Sequence, residues 1–197
     1  MRYKLKKTFL NFKLCSIAML CCSLTIGCST TVPAQRSINL INKQNSSINI
    51  GSQTQKKLKK NNCQIKIHKV IDDRSDKNNI GVFCGSEIIT KDLSDWINRF
   101  FVVLENTSKA LNGNEILLNI SIKKMYIKNI STSKTATIVL QVDYLKGTNI
   151  ILSKLYRKQI TKINWNCTEH EIIELLNNVL QDIMTDIIND ISNLPIN

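Results

Sequence analysis

The chain has 197 residues, of which 43% are hydrophobic, and its formal net charge is +12 at pH 7. Such a charge is common among nucleic-acid-binding proteins, but its distribution excludes nucleic acid as the expected partner. Residues 1–62 hold 11 basic and no acidic side chains, whereas residues 63–197 hold 16 basic and 15 acidic ones. A basic segment beside a membrane is attracted to anionic head groups by about 1 kcal/mol per charge. The positive charge is therefore interpreted as a membrane-proximal feature.

Residues 1–27 have the layout of a bacterial lipoprotein signal peptide. A basic start is followed by 13 largely apolar residues at 14–26, and Gly27 then precedes Cys28. This apolar run is shorter than the roughly 20 residues of a spanning helix. We expect cleavage between Gly27 and Cys28 and attachment of fatty acyl chains such as palmitate to Cys28. Ser29 favours the periplasmic side of the outer membrane; the alternative is an ordinary secretory signal.

Residues 28–62 are predicted to be the lipidated cysteine and a flexible basic tether. They are rich in Ser, Thr, Asn, Gln and Lys, and as a coil they would span roughly 30–35 Å. Two short apolar alternations, at 37–41 and 48–50, leave open the pairing of either stretch with a sheet edge.

The pattern of residues 63–197 predicts one periplasmic domain in the order strand, strand, helix, three strands, helix. Apolar residues alternate with a period of two in the strands and recur every three or four positions in the helices. Thr168 and Glu171 have the spacing of a capping box. The predicted strands are 63–68, 80–84, 116–123, 135–144 and 150–161, and the predicted helices begin near 92 and 168.

Short turns between consecutive strands predict antiparallel pairing, and two helices suffice to cover one face of the sheet. The expected fold is therefore α+β: a two-layer sandwich in which an antiparallel sheet of about five strands carries two helices on one face. The first two strands are predicted to form a hairpin around a polar turn at 72–79.

Three cysteines remain in the predicted domain: Cys63, Cys84 and Cys167. The predicted hairpin would bring Cys63 and Cys84 together at its open end, so we hypothesise a disulfide between them and a free Cys167. The alternative is that Cys63 and Cys84 are both small buried side chains. No CxxC spacing is present and only His68 and His170 could assist, so no metal site is expected.

The acidic turn at 72–76 is the part of the sequence that most resembles a carboxylate cluster. It lacks the glycine and glutamate positions of a calcium loop, and no base accompanies a nucleophile there. We expect its Asp side chains to hydrogen-bond to the local backbone. No catalytic residue, metal or cofactor is predicted, and the protein is not expected to be an enzyme.

Charge is unevenly placed within the predicted domain. Basic residues dominate 121–162, whereas 168–193 is acidic. This distribution suggests a basic open sheet face that docks an envelope protein, a glycolipid or peptidoglycan. A merely solvated face is the alternative. The candidate docking residues are Lys123, Lys154, Tyr156 and Lys158.

Together these motifs resemble the YajG-type envelope lipoproteins, which are close in architecture to auxiliary lipoproteins of ABC transporters. The resemblance is carried by Cys28, by Ile71-Asp72-Asp73-Arg74 with Ile80-Gly81, by Tyr156-Arg157 and by the final helix from Leu175 to Asp190. It implies a membrane-anchored lipoprotein with a non-catalytic binding or scaffolding domain. The alternative is an accessory subunit of an ABC-type lipid or solute transporter.

Overall fold

The computed structural model describes residues 33–41, 63–108, 114–130, 132–163 and 167–194. The predicted signal peptide, Cys28 and positions 42–62 of the predicted tether lie outside these ranges. The described elements are β1 Ala34–Ser37, β2 Gln64–Asp72, β3 Asn79–Phe83, β4 Ser86–Ile89, α1 Leu93–Thr107, β5 Glu115–Ile130, β6 Ser133–Lys146, β7 Asn149–Ile163 and α2 Glu169–Asn193.

The sheet has seven strands and is mixed. Its order is β1-β4-β3-β5-β6-β7, and β2 also lies beside β5. The α+β arrangement with two helices is confirmed among the described residues. The sheet has more than the five predicted strands, and the predicted antiparallel pairing holds only for β3 with β4, β5 with β6 and β6 with β7. Three pairs are parallel: β1 with β4, β2 with β5, and β3 with β5. β4 runs antiparallel to β3, and α1 then carries the chain to the start of β5 beside β2, so β5 runs parallel to both β2 and β3.

β2 and β3 lie end to end along one edge of β5. β2 pairs with residues 115–122 of β5, and β3 pairs with residues 127–128. The predicted hairpin between β2 and β3 is therefore wrong, because the stretch 73–78 leaves the sheet and rejoins the same edge further on. The chain reverses later, at Cys84 and Gly85, whose φ angles are 51° and 77°. Positive φ at both central positions is what a two-residue type I′ hairpin turn requires.

This end-to-end arrangement also corrects the predicted disulfide. Cys63 precedes β2 and Cys84 follows β3, so the two lie at opposite ends of the run and cannot bridge. Cys84 is instead bonded to Cys167, with the Cα atoms 6.0 Å apart, within the usual range for a disulfide. Cys63 is a free thiol that is 2% exposed, and its burial raises its pKa.

Both helices pack on one face of the sheet over a single apolar core. Trp96 and Phe100 of α1 are fully buried, and α1 packs on β2. α2 packs on β6 and β7, and Thr168 accepts the backbone N–H of Glu171 at 3.4 Å, which confirms the predicted cap. α1 ends at Thr107. Buried Ser108 closes it by accepting the backbone N–H of β2 residue Ile65 at 2.9 Å.

Residues 33–41, which the sequence assigned to the tether, belong to the folded unit. β1 adds to β4 in parallel, and the backbone N–H of Ile38 donates to the Ile89 carbonyl at 2.9 Å. Ile38 and Leu40 are buried in the core. The edge pairing that the sequence left open for 37–41 occurs mainly before that stretch, because β1 includes Ser37 but none of residues 38–41.

Candidate functional site

The loop at 73–78 is held together by the guanidinium of Arg74. Its Nε and Nη2 donate to the two carboxylate oxygens of Asp72, each at 2.8 Å. Nη1 donates to the Asn79 carbonyl at 3.0 Å, and Nη2 also reaches the Lys77 carbonyl. These bonds to Asp72, Lys77 and Asn79 engage every guanidinium nitrogen. Buried Arg74 therefore stabilises the fold and is not free to bind a partner.

The Asp side chains of this loop bind local backbone, as predicted. Asp72 Oδ1 accepts the N–H of Arg74 at 3.2 Å, and Asp76 Oδ1 accepts the N–H groups of Asn78 and Asn79, both at 3.1 Å. The loop is therefore a stabilised turn that lets the chain step away from β5 and return.

A pocket of about 400 Å³ opens where this loop leaves the edge of β5. Residues 123–126 of β5 have no strand partner on this edge within the described ranges, because the pairing with β2 ends at Ile122 and the pairing with β3 begins at Ile127. Gly81 permits the return, since its φ is 117° and a Cβ there would lie 2.0 Å from the carbonyl oxygen of Ile127. We call this cavity the fork pocket.

The walls of the fork pocket are partly basic and partly apolar. Lys124 lies over the ring of Tyr126, with its Nζ 5.9 Å from the centroid, and Val82 forms an apolar wall. Lys123 also lines the pocket, but it is bonded to Asp73, whose pKa it holds below the usual value. The pocket thus opens toward solvent beside Lys124, which forms no ion pair with a described residue, and beside the exposed Tyr126 ring.

No element of the described residues covers the sheet face opposite the helices. Register places Ile71, Ser121, Gln141 and Leu155 in one row across β2, β5, β6 and β7. None of the four is buried, and Ile71 and Leu155 are exposed apolar side chains. The open face comprises this row together with Lys69, Val82, Lys124, Tyr126, Lys128, Val139 and Arg157.

Basic side chains without an ion pair to any described residue dominate the open face: Lys69, Lys124, Lys128 and Arg157. Asp143 lies on the same face and accepts a hydrogen bond from Ser153 at 2.5 Å. An excess of unpaired cations next to exposed Ile71, Tyr126 and Leu155 suits a partner that is acidic and partly apolar.

The structure corrects the docking residues that the sequence suggested. Lys154 donates to Asp190 of α2 at 2.7 and 2.8 Å, and Lys158 pairs with Asp186 of α2 at 2.8 Å. Tyr156 is buried on the same side. These residues face α2 because its acidic side chains attract the lysines of β7, which neutralises both elements. The uneven charge in the sequence therefore reflects helix–sheet pairing.

Lys124 and Lys128 of the open face were missed because a β-bulge changes the phase of β5. Core positions are even-numbered up to Ile122 and odd-numbered from Met125 onward, and the register shifts between Ile122 and Lys124. In the sequence, the alternation of apolar residues has one phase at 116–122 and the other phase from 125 onward. This change of phase is the signal that could have located the bulge.

A buried pair of tyrosines was also not anticipated. The Tyr144 and Tyr156 hydroxyls are hydrogen-bonded, and Tyr156 donates to the carboxylate of Asp190. Burial raises the pKa of both phenols, and the bond to Asp190 raises that of Tyr156 further. Both stay protonated at neutral pH, so the arrangement fastens α2 to the sheet and supplies no base.

Within the described ranges, no three His, Cys, Asp or Glu side chains come together as a metal site. His68 on β2 and His170 on α2 are both exposed. Over those same residues, no helix combines the length and apolar content needed to cross a bilayer.

No protein-family model matches the chain, and no curated protein matches it. Among solved structures it is similar to protein XCC0632 of Xanthomonas campestris, of family DUF330, at 13% identity and a TM-score of 0.45, over 64% of this chain and 81% of that one. It is also similar to a candidate lipoprotein of Caulobacter crescentus at 7% identity and a TM-score of 0.41, over 72% and 93%. Lipoprotein GNA1162 of Neisseria meningitidis has 10% identity and a TM-score of 0.25, over 62% and 99%.

These identities and TM-scores are low. They carry no functional argument, and the resemblance of the chain to the YajG-type lipoproteins stays a prediction.

Proposed function

We propose that the chain is a YajG-type bacterial lipoprotein, anchored through Cys28 on the periplasmic side of the outer membrane. Its domain binds a protein partner of the cell envelope through the open face and performs no catalysis. The basic start, the short apolar run and the Gly27-Cys28 junction support the anchor. The observation that carries the binding role is a sheet face that no described element covers, with basic side chains that form no ion pair with a described residue.

The open face has the dimensions of a protein interface. Its long strands have 14 to 16 residues, which at about 3.3 Å per residue gives a length of roughly 50 Å. Four strands spaced by about 4.8 Å make it roughly 15–20 Å wide. The resulting area of about 800 Å² matches the roughly 800 Å² that each partner contributes to a standard interface.

Charge and apolar content decide which partner fits. Lys128 and Arg157 are exposed and form no ion pair with a described residue. An acidic partner could therefore form ion pairs with them without breaking an existing one. Leu155 and Tyr126 lie among these cations and can supply the apolar centre that such interfaces have.

Site-specific photocrosslinking in intact cells tests the binding role. Benzoylphenylalanine at Leu155 should give a discrete crosslinked product, whereas the same probe at exposed Asp182 of α2 should not. Reversal of charge at Lys128 and Arg157 should lower the yield by about tenfold or more, because opposed like charges cost several kcal/mol. Lys91→Glu, an exposed lysine before α1, is the matched control.

Equal crosslinking at Leu155 and Asp182 would show that the open face is not the binding surface. The identity of the product decides the class of partner. An ATPase and a permease recovered together would indicate the transporter-subunit alternative, whereas a single envelope protein supports the scaffold. Normal processing and normal membrane pelleting of Cys28→Ser would contradict the anchor separately.

A further inference from the structure

β1 begins close behind the proposed lipid anchor. This inference rests on the lipidation of Cys28 proposed above. Only residues 29–33 separate Cys28 from Ala34, the first residue of β1. An extended chain advances at most about 3.3–3.6 Å per residue, so Ala34 lies within about 22 Å of the anchored cysteine. A linker of five residues thus takes the place of the long tether, and the domain must stay near the membrane.

Strand register shows at which end of the sheet this linker arrives. Ala34 is opposite Ser86 of β4, and Ser86 is opposite Phe83, the last residue of β3. β3 runs parallel to β5 and ends beside the last residues of β5. The linker therefore meets the sheet where β5 finishes, β6 begins and β7 finishes. We name this the anchor end, defined by Ile130, Ser133 and Ile163.

The anchor end presents exposed apolar side chains. Ile163 is 78% exposed and Ile130 is 56% exposed. Ser133 is paired with Ile130 on one side and with Ile163 on the other, so the two isoleucines lie in one row about 10 Å apart. Two bare β-branched side chains at the tip of a sheet have no role in the core, since neither belongs to it.

Charge at the anchor end is close to balanced, because Glu87 lies in the same row as Lys128, with Val82 between them. Lys128 is exposed there, two residues before Ile130. The acidic side chains in the first turns of α2, which also begins at this end, are each engaged by a basic residue. The ion pairs are Arg36–Glu169 at 3.6 Å, Lys134–Glu171 at 2.9 Å and Lys162–Glu174 at 2.6 Å.

We infer that the anchor end rests in the head-group layer of the membrane that holds the lipid, with Ile130 and Ile163 inserted at the acyl boundary. Apolar side chains of surface-bound elements reach roughly 5–10 Å into this layer. The lipid and the sheet tip then act as two anchors on one short linker. The domain stands on its end, and the open face remains free for its protein partner.

The opposite end of the sheet supplies an internal control. Ile150 and Ile151, at the β6–β7 turn, are 59% and 44% exposed. β6 has 14 residues, so this turn lies roughly 45 Å from the anchor end. That distance is about twice the reach of the linker, so equally apolar side chains at the far end should stay out of the bilayer.

The test uses the full lipidated chain in vesicles of phosphatidylethanolamine and phosphatidylglycerol that contain spin-labelled lipid. A fluorescent unnatural amino acid is placed singly at position 163, 150 or 155. Quenching at 163 should exceed that at 150 several-fold. Ile130→Glu should reduce quenching at 163, whereas the matched Ile151→Glu should leave it unchanged. A 20-residue Gly/Ser insertion after Val32 should also lower the quenching at position 163, because it lengthens the linker.

Flotation of the vesicles separates this inference from the proposed anchor. If the chain floats but 163 and 150 are quenched equally, lipidation stands and the end-on contact is overturned. Strongest quenching at 155 would also overturn it, because the open face would then lie on the membrane. A wild-type chain that does not float overturns both proposals.

Discussion

Breaking the disulfide between Cys84 and Cys167 should remove a large part of the domain's stability. The two residues are 83 positions apart, and the chain-entropy relation gives about 4.5 kcal/mol for a loop of that length. A Cys63–Cys84 bridge would have closed only about 20 residues and would have contributed about 3 kcal/mol. Small domains are stable by about 5–15 kcal/mol, so the loss should be easily measured.

The measurement is urea unfolding of three chains with and without dithiothreitol. The reductant should destabilise wild type and Cys63→Ala by the same 4–5 kcal/mol, roughly, and should leave Cys167→Ser unchanged. Peptide mapping without reduction should link Cys84 to Cys167 and leave Cys63 alkylatable after unfolding. Sensitivity of Cys167→Ser to dithiothreitol, or any linked peptide containing Cys63, would refute the pairing.

Three further outcomes are expected in urea unfolding. Gly81→Ala should lower the free energy of unfolding by more than the roughly 1–3 kcal/mol of an unfavourable φ alone, because its Cβ meets the backbone of β5. Gly147 has a φ of 61° and open space around it, so Gly147→Ala should cost only the backbone strain. Equal losses of stability in the two variants would contradict the close approach of Gly81 to β5. Lys134→Ala should cost about 3–5 kcal/mol because Lys134 is buried, and Lys162→Ala, in an exposed pair, about 1 kcal/mol or less. The raised pKa of Tyr156 means that the folded chain keeps a proton that the unfolded chain loses, so stability should fall as pH rises above the usual value of 10.0; a fall of the same size in Tyr156→Phe would exclude this cause.

Local patterns in the sequence were sufficient wherever one element is specified by its own residues. The alternation in 116–122 and 135–144 predicted the first half of β5 and most of β6, because each strand has one buried face. The spacing of Thr168 and Glu171 predicted the start of α2, since a capping bond joins residues three apart. β4 has only four residues, too few for a periodic signal, and was missed.

The candidate site depended on information that no single strand contains. Alternation in β7 shows that two faces exist, but it cannot show which face the helices cover. That choice was made by contacts from α2, whose Asp186 and Asp190 engage Lys158 and Lys154 and leave Arg157 on the other side.

By itself, the sequence determined the proposed lipoprotein signal, the α+β class and the amphipathic elements, because these follow from composition and from periods of two and 3.6 residues. Only the tertiary structure decided that β2 and β3 share one edge of β5, that Cys84 meets Cys167, and that residues 34–37 join the sheet. The physical reason is that strand pairing and disulfide formation depend on the distance between segments far apart in the chain. A polar stretch such as 73–78 serves equally well as a hairpin turn or as a step along one edge, and only packing against β5 selects between them.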